Sequence, residues 1–195
     1  MAPRKLPMGL WEDKMSKPLV LALLAGVSMV VAGLYGALHN QLSYSVGSSY
    51  FHDFKFAQFG IAESMQNRLG ASLVGWRASW WMGLLAGMPA FLLGFMILRR
   101  PQRLLAAGLG AIGAVIITVL LFSMGGLMLG MMAPQYASSL PLPDGISDTE
   151  SFLRAALMHE ASYYGGFVGI LVALFSIWQA RKAERLYEED RKHAS

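Results

Sequence analysis

The side chains best suited to chemistry gather in two short segments. His39 follows Tyr35 and Gly36 by one helical turn, and His159-Glu160 precedes Ser162, Tyr163 and Gly166 along what reads as another helix. A neutral imidazole ligates a divalent metal or a haem iron through one ring nitrogen. Glu160 can add a ligand, or accept the second N–H of a ligating histidine. Arg77 offers a guanidinium fork for an anionic group such as a propionate or a lipid phosphate. Trp80, Trp81 and Tyr163 supply flat walls for a haem, a quinone or a lipid. The spacing matches no compact metal motif. Each histidine stands alone on its segment, without His-x-x-x-His or Glu-x-x-His, and adjacent His159 and Glu160 cannot face the same way on one helix. Trp, Tyr, His and Asn also form belts where a membrane meets water. Three readings follow: a metal or haem centre at His39 and His159, a lipid or quinone pocket, and an interfacial belt.

Other chemistry finds less support. Cysteine is absent, so there is no thiolate metal site, thiol nucleophile or covalent haem attachment. Ser43, Ser45, Ser48 and Ser49 lie around Gly47 without the strand–turn–helix of a nucleophile elbow. His52-Asp53 suits a hydrated loop pair better than a ligand pair, and His193 suits solvent, as does Glu63. Pro89 is placed to kink its helix, and Thr118 and Ser123 are the only polar groups deep in the third apolar stretch. No charge sits deep in any apolar stretch, which disfavours ion-coupled transport. The leading expectation is a non-enzymatic accessory or scaffolding subunit. The alternative is a redox or metal-dependent membrane protein.

The elements that must carry these residues are apolar stretches over 18–38, 78–98, 104–132 and 155–178. Each is long enough to cross about 30 Å of hydrocarbon as a helix. The chain is 55% hydrophobic and 14% charged, against about 25% charged for a soluble domain. The expected fold is an all-α, four-helix transmembrane bundle in a single domain spanning 1–195. A long outer loop over 39–77 contains a short amphipathic helix over 60–73, with Ile61, Met65, Leu69 and Leu73 as its stripe. The first stretch exceeds a cleavable signal's apolar region and reads as a retained anchor.

All but Lys55, Arg68, Arg77 and Arg154 of the 16 basic residues flank one set of helix ends. They include Arg4, Lys5 and Lys14, the Arg99-Arg100-Pro101-Gln102-Arg103 link, and the tail over 179–195. The positive-inside bias places both termini and that link in the cytoplasm of a bacterial inner-membrane protein. It explains the formal charge of +4 without nucleic acid. Trp11 reads as an interfacial anchor and the mixed-charge tail as a solvated helix extension. The remaining partners are the bilayer and either a membrane-protein partner or a second copy.

Depth follows from helical rise. Leu19 to His39, Trp178 to His159 and Arg99 to Trp80 each span about 28–30 Å. The two histidines, Trp80 and Trp81 therefore share one layer, with Arg77 a turn above. This predicts imidazoles within about 12 Å of each other on neighbouring helices, with Glu160 as the carboxylate partner of Arg77. Tyr44, Tyr50, Phe51, Phe54, Phe56 and Phe59 make the outer loop an aromatic cap, either on the membrane surface or as a lid. A Ser147-x-x-Glu150 capping box is expected to start the last helix.

Small residues should set the packing. The expected faces are Ala25, Ser28, Ala32 and Gly36; Gly83, Gly87, Ala90 and Gly94; Ala106, Gly110, Gly113, Gly126 and Gly130; and Gly165, Gly166, Gly169 and Ala173. Leu38-His39-Asn40-Gln41-Leu42-Ser43-Tyr44, Phe54-Lys55-Phe56-Ala57-Gln58-Phe59-Gly60 and His159-Glu160-x-Ser162-Tyr163-x-Gly165-Gly166 resemble segments of a group of uncharacterised bacterial four-span inner-membrane proteins. The resemblance implies that membrane and a role for the outer face. It brings no catalytic residues.

Overall fold

The computed structural model describes residues 15–132 and 142–193. Its four long helices are α1 (Lys17–Val46), α2 (Arg68–Ile97), α3 (Pro101–Met132) and α4 (Thr149–His193). All four are long and apolar enough to cross a membrane, making this an all-α, multi-pass membrane protein. Arg4, Lys5, Trp11, Lys14 and the part of the last loop over 133–141 lie outside the described residues.

The helices outrun the apolar stretches for a physical reason. Polar residues beyond position 39 bond across to α2 instead of to water. Asn40 donates to the Ala71 carbonyl at 2.9 Å. Gln41 donates to the Arg68 carbonyl at 2.6 Å and to Ser72 Oγ at 2.7 Å, and Arg68 returns a bond to Ser45 Oγ at 3.0 Å. This zipper keeps α1 helical to Val46 and lets α2 begin at Arg68. Asn67 caps α2 by accepting from the Leu69 and Gly70 amides.

The separate amphipathic helix expected over 60–73 is replaced by two pieces. Gly60 turns the chain at φ +60° and a single 3-10 turn covers Glu63–Met65. Leu69 and Leu73 belong to α2. The helical part of the cap comes earlier, as a π turn over Phe51–Lys55 continuing into Phe56–Gln58.

The bundle is two helix pairs. Between α1 and α2, a Cβ on Gly75 would strike the Gly36 carbonyl and one on Gly83 the Ser28 carbonyl. Between α3 and α4, Gly126 lies against Leu157 and Ala161, and Gly165 against Val119 and Phe122. Backbones this close gain dispersion contacts that lipid cannot match. Gly110 and Gly113, expected on the packing face, have open space where a Cβ would go. Gly108, against Leu24, and buried Ala111 carry that face of α3 instead.

The helix ends at the α2–α3 turn, here the turn end, are closed. Val20, Leu24, Phe91, Leu98 and Leu104 pack there without solvent access. The extension of α4, expected to be simply solvated, docks on the turn. Glu184 is 2% exposed and accepts from the Arg99 amide at 3.2 Å and from Arg181 Nη1 at 2.8 Å. Arg99 also pairs with Glu188 at 3.0 Å.

Candidate functional site

The opposite, cap end is built from aromatic rings. Tyr50, Phe51 and Phe56 pack with Ile61, with Val74 of α2, and with Phe152 and Leu153 of α4. Asp53 fastens the cap by accepting from the Ser147 amide at 2.8 Å and its hydroxyl at 2.7 Å. Ser147 is thereby engaged, so the expected capping box does not form. Asp148 caps α4 instead, accepting from the Ser151 amide at 3.2 Å, and hydrogen bonding from the Ser151 hydroxyl and then from this amide holds its carboxyl below the usual value. Glu150 pairs with Arg154.

Beneath the cap, His39 and His159 meet. Their ring centroids are 4.7 Å apart with planes at 89°, edge against face. The two imidazoles thus lie at one level on neighbouring helices, within the roughly 12 Å expected from helical rise. His159 stacks on Tyr50 at 4.9 Å and its Nε2 bonds Ser43 Oγ at 3.1 Å. His39, 8% exposed, stacks on Tyr35 at 5.6 Å, and its Nδ1 lies 3.4 Å from Ser123 Oγ. His39 Nε2 and the Tyr35 hydroxyl are buried with no hydrogen-bond partner among the described residues.

Both unpartnered groups line a cavity of about 820 Å³ between the two helix pairs. Most of its wall is apolar, drawn from all four helices. Cap residues Lys55, Gln58 and Phe59 close its upper side. The cap is therefore a lid packed onto the helix ends, and not a patch lying beside them. Lys55 donates to Gln58 Oε1 at 2.8 Å and lies over the Phe54 ring at 4.7 Å. Burial lowers its pKa, and nearby Glu160 partly restores it. Burial also raises the Tyr50 hydroxyl, with Tyr163 and Glu160 adding to the effect, so Tyr50 stays neutral.

Of the predicted site residues, His39, His159, Arg77, Trp81 and Tyr163 line the cavity. Trp80 is 40% exposed and forms no part of that wall. Glu160 does not pair with Arg77. It is not part of the cavity wall and lies near enough to Lys55 to act on its charge, while Arg77 donates to the Phe59 carbonyl at 3.3 Å. His52 bonds the Tyr44 hydroxyl at 2.9 Å and, like Asp53, lies off the cavity. Among the described residues no three His, Asp or Glu side chains gather as a metal-binding set.

Sequence reasoning missed the roles of Tyr35, Lys55 and Ser123. Ser123 was legible as one of two polar groups deep in α3, and Lys55 as the lone lysine among the cap's aromatic residues. Comparison with known proteins gives no match, whether to family models, to curated proteins or to solved structures.

Proposed function

We propose that this is a bacterial inner-membrane protein, both termini cytoplasmic, acting by binding rather than turnover. It is an accessory subunit whose cavity holds a lipid-like amphiphile near the outer face. The observation that carries this is the 820 Å³ apolar cavity with unpartnered His39 Nε2 and Tyr35 hydroxyl in its wall. That volume lies within the roughly 300–1,000 Å³ of small-molecule sites, which join apolar walls to a few placed polar groups. The orientation rests on basic residues concentrated at the turn end.

Native mass spectrometry of the full chain in mild detergent tests the binding reading. One co-purifying small molecule per chain is expected, and Ile116→Trp, which fills the cavity, should displace it. Retention of the same mass by the variant would sink the reading. The absence of cysteine makes orientation directly testable. Glu63→Cys should react with an impermeant maleimide on intact cells, and Glu189→Cys only after permeabilisation. The reverse pattern would overturn the topology.

The 4.7 Å approach of His39 and His159 supports one other reading, a metal- or haem-dependent redox protein. Metal analysis and an optical spectrum of the purified protein decide it. Stoichiometric metal or a Soret band would replace the binding reading.

A further inference from the structure

The cavity has a direction. Its lining residues on α1 and α3 are buried or half-buried. On α2, Trp81 and Leu85 are lining residues yet 45% and 62% exposed, and on α4, Tyr163 and Phe167 are 43% and 70% exposed. The cavity therefore opens sideways between α2 and α4, through a portal rimmed by rings and aliphatic carbon. Both helices cross the membrane, so the portal faces acyl chains. Ala90, Ala111, Ala173 and Ile177 pack together and close the bundle toward the turn end.

The polar groups inside are graded along the bundle axis. Lys55 belongs to the cap, and the Arg77 guanidinium reaches up to it at the Phe59 carbonyl from a backbone level with Gly36. Among the described residues the hydrogen-bond partner of Arg77 is the Phe59 carbonyl, and Glu160 stands near Lys55. His39 and Tyr35 come next, about 6 Å apart along α1 by helical rise. The only hydrogen-bond partner of the Ser123 hydroxyl among the described residues is His39 Nδ1. A hydroxyl buried in hydrocarbon must donate to something, so its proton goes to Nδ1 and leaves Nε2 as an N–H donor. The Tyr35 hydroxyl is a second donor without an acceptor. Deeper in, Ile112, Val115, Ile116 and Ile170 give a dry wall. From the cap inward, the order is two cations, two neutral donors and hydrocarbon.

We propose that the cavity is a lateral-entry site for an anionic glycerophospholipid, its phosphate at Arg77 and Lys55, an ester carbonyl at His39 Nε2 and the Tyr35 hydroxyl, and one acyl chain along α3. The order of the groups matches the order of phosphate, ester and chain in such a lipid. A quinone would use the two donors and leave both cations idle. The inference rests on the cavity being a ligand site, as proposed above.

The test uses the full chain in mild detergent, with binding read by native mass spectrometry. The probes are a diacyl phosphatidylglycerol, its diether analogue, a phosphatidylcholine and a short-chain ubiquinone. Phosphatidylglycerol should bind one per chain and be displaced in Ile116→Trp. The diether analogue, lacking the carbonyls, loses the bonds from both donors and should bind roughly tenfold to a hundredfold more weakly. Tyr35→Phe should weaken the diester and leave the diether unchanged. Arg77→Gln, on an exposed side chain, should bring phosphatidylglycerol down toward phosphatidylcholine. Equal binding of diester and diether, indifference to Arg77→Gln, or phosphatidylglycerol retained by Ile116→Trp would each overturn the proposal. Ubiquinone binding that Ile116→Trp abolishes, without phosphatidylglycerol binding, would overturn it while leaving the ligand-site reading intact. If no probe or co-purifying molecule is lost in Ile116→Trp, that reading falls as well.

Discussion

The two ends of this bundle solve the same packing problem with different materials. At the turn end the core is largely aliphatic and the polar groups are ions, with the Glu184 carboxylate clasped by the Arg99 amide and Arg181. At the cap end the core is largely aromatic, and the polar bonds between helices are mostly neutral, as in Asn40 to Ala71 and Ser43 to His159. Glycines bring backbones together within each pair, whereas between the pairs Leu24 on Gly108 and Leu104 on Gly94 seal only the turn end. Small residues within the pairs and large ones between them at one end leave a volume at the other. The cavity is what remains when two tight pairs are joined at their base.

The sharpest way to break this contrast is through the cap. Phe51 is fully buried and touches Tyr44, Tyr50 and Phe56. Phe51→Ala should destabilise by about 3–5 kcal/mol, measured by thermal unfolding in detergent. A loss under about 1 kcal/mol would mean the lid is not part of the cooperative core. At the turn end, Glu184→Ala should lose roughly 1.5–3 kcal/mol, the range for a hydrogen bond to a charged group. Glu184→Gln, which can still accept from the Arg99 amide, should lose less. Equal losses would assign the clamp to charge alone.

A glycine pair separates packing from helix propensity. Gly75→Ala sets a methyl against Gly36 and within 2.9 Å of Asn40 Cγ, for an expected loss of about 1–3 kcal/mol. Gly110→Ala meets open space and should gain about 0.5–1 kcal/mol from helix propensity. Matching signs for the two would refute the paired architecture.

The smallest expected effect belongs to Lys55, packed among Tyr50, Phe54 and Gln58 with Glu160 nearby. Burial lowers its folded pKa below the ordinary 10.5, so across that window the unfolded chain binds more protons. Stability should therefore rise with pH from the lowered value up to 10.5, and Lys55→Gln should flatten that rise in unfolding measurements. A fall across the window would reverse the assignment.

The span count and the level of the two histidines were legible because both follow from length and rise alone. The helix ends were not. Hydropathy stops at His39, whereas the helix continues because Asn40 and Gln41 find partners on α2, a pairing no local rule contains. The start of α4 misled for a similar reason, since Ser147 is a good cap residue until Asp53 claims it from 94 positions away. The partner of Arg77 was misassigned because shared depth says nothing of direction around a helix. Glu160 stands off the cavity wall that Arg77 lines.

α4 is one unbroken helix of 45 residues, containing no proline. Its rise makes it a rod of about 68 Å. It borders the portal at Phe167 and is gripped at Glu184, leaving a charged stretch to His193 beyond the grip. Because α3 is locked to α4 at Gly126 and Gly165, the pair would move as one lever with that grip as fulcrum, with arms on α4 of about 26 Å and 14 Å by helical rise. A sideways shift at the portal would swing the far tip the opposite way by about half as much, so the tail would report, in miniature and reversed, how wide the opening stands.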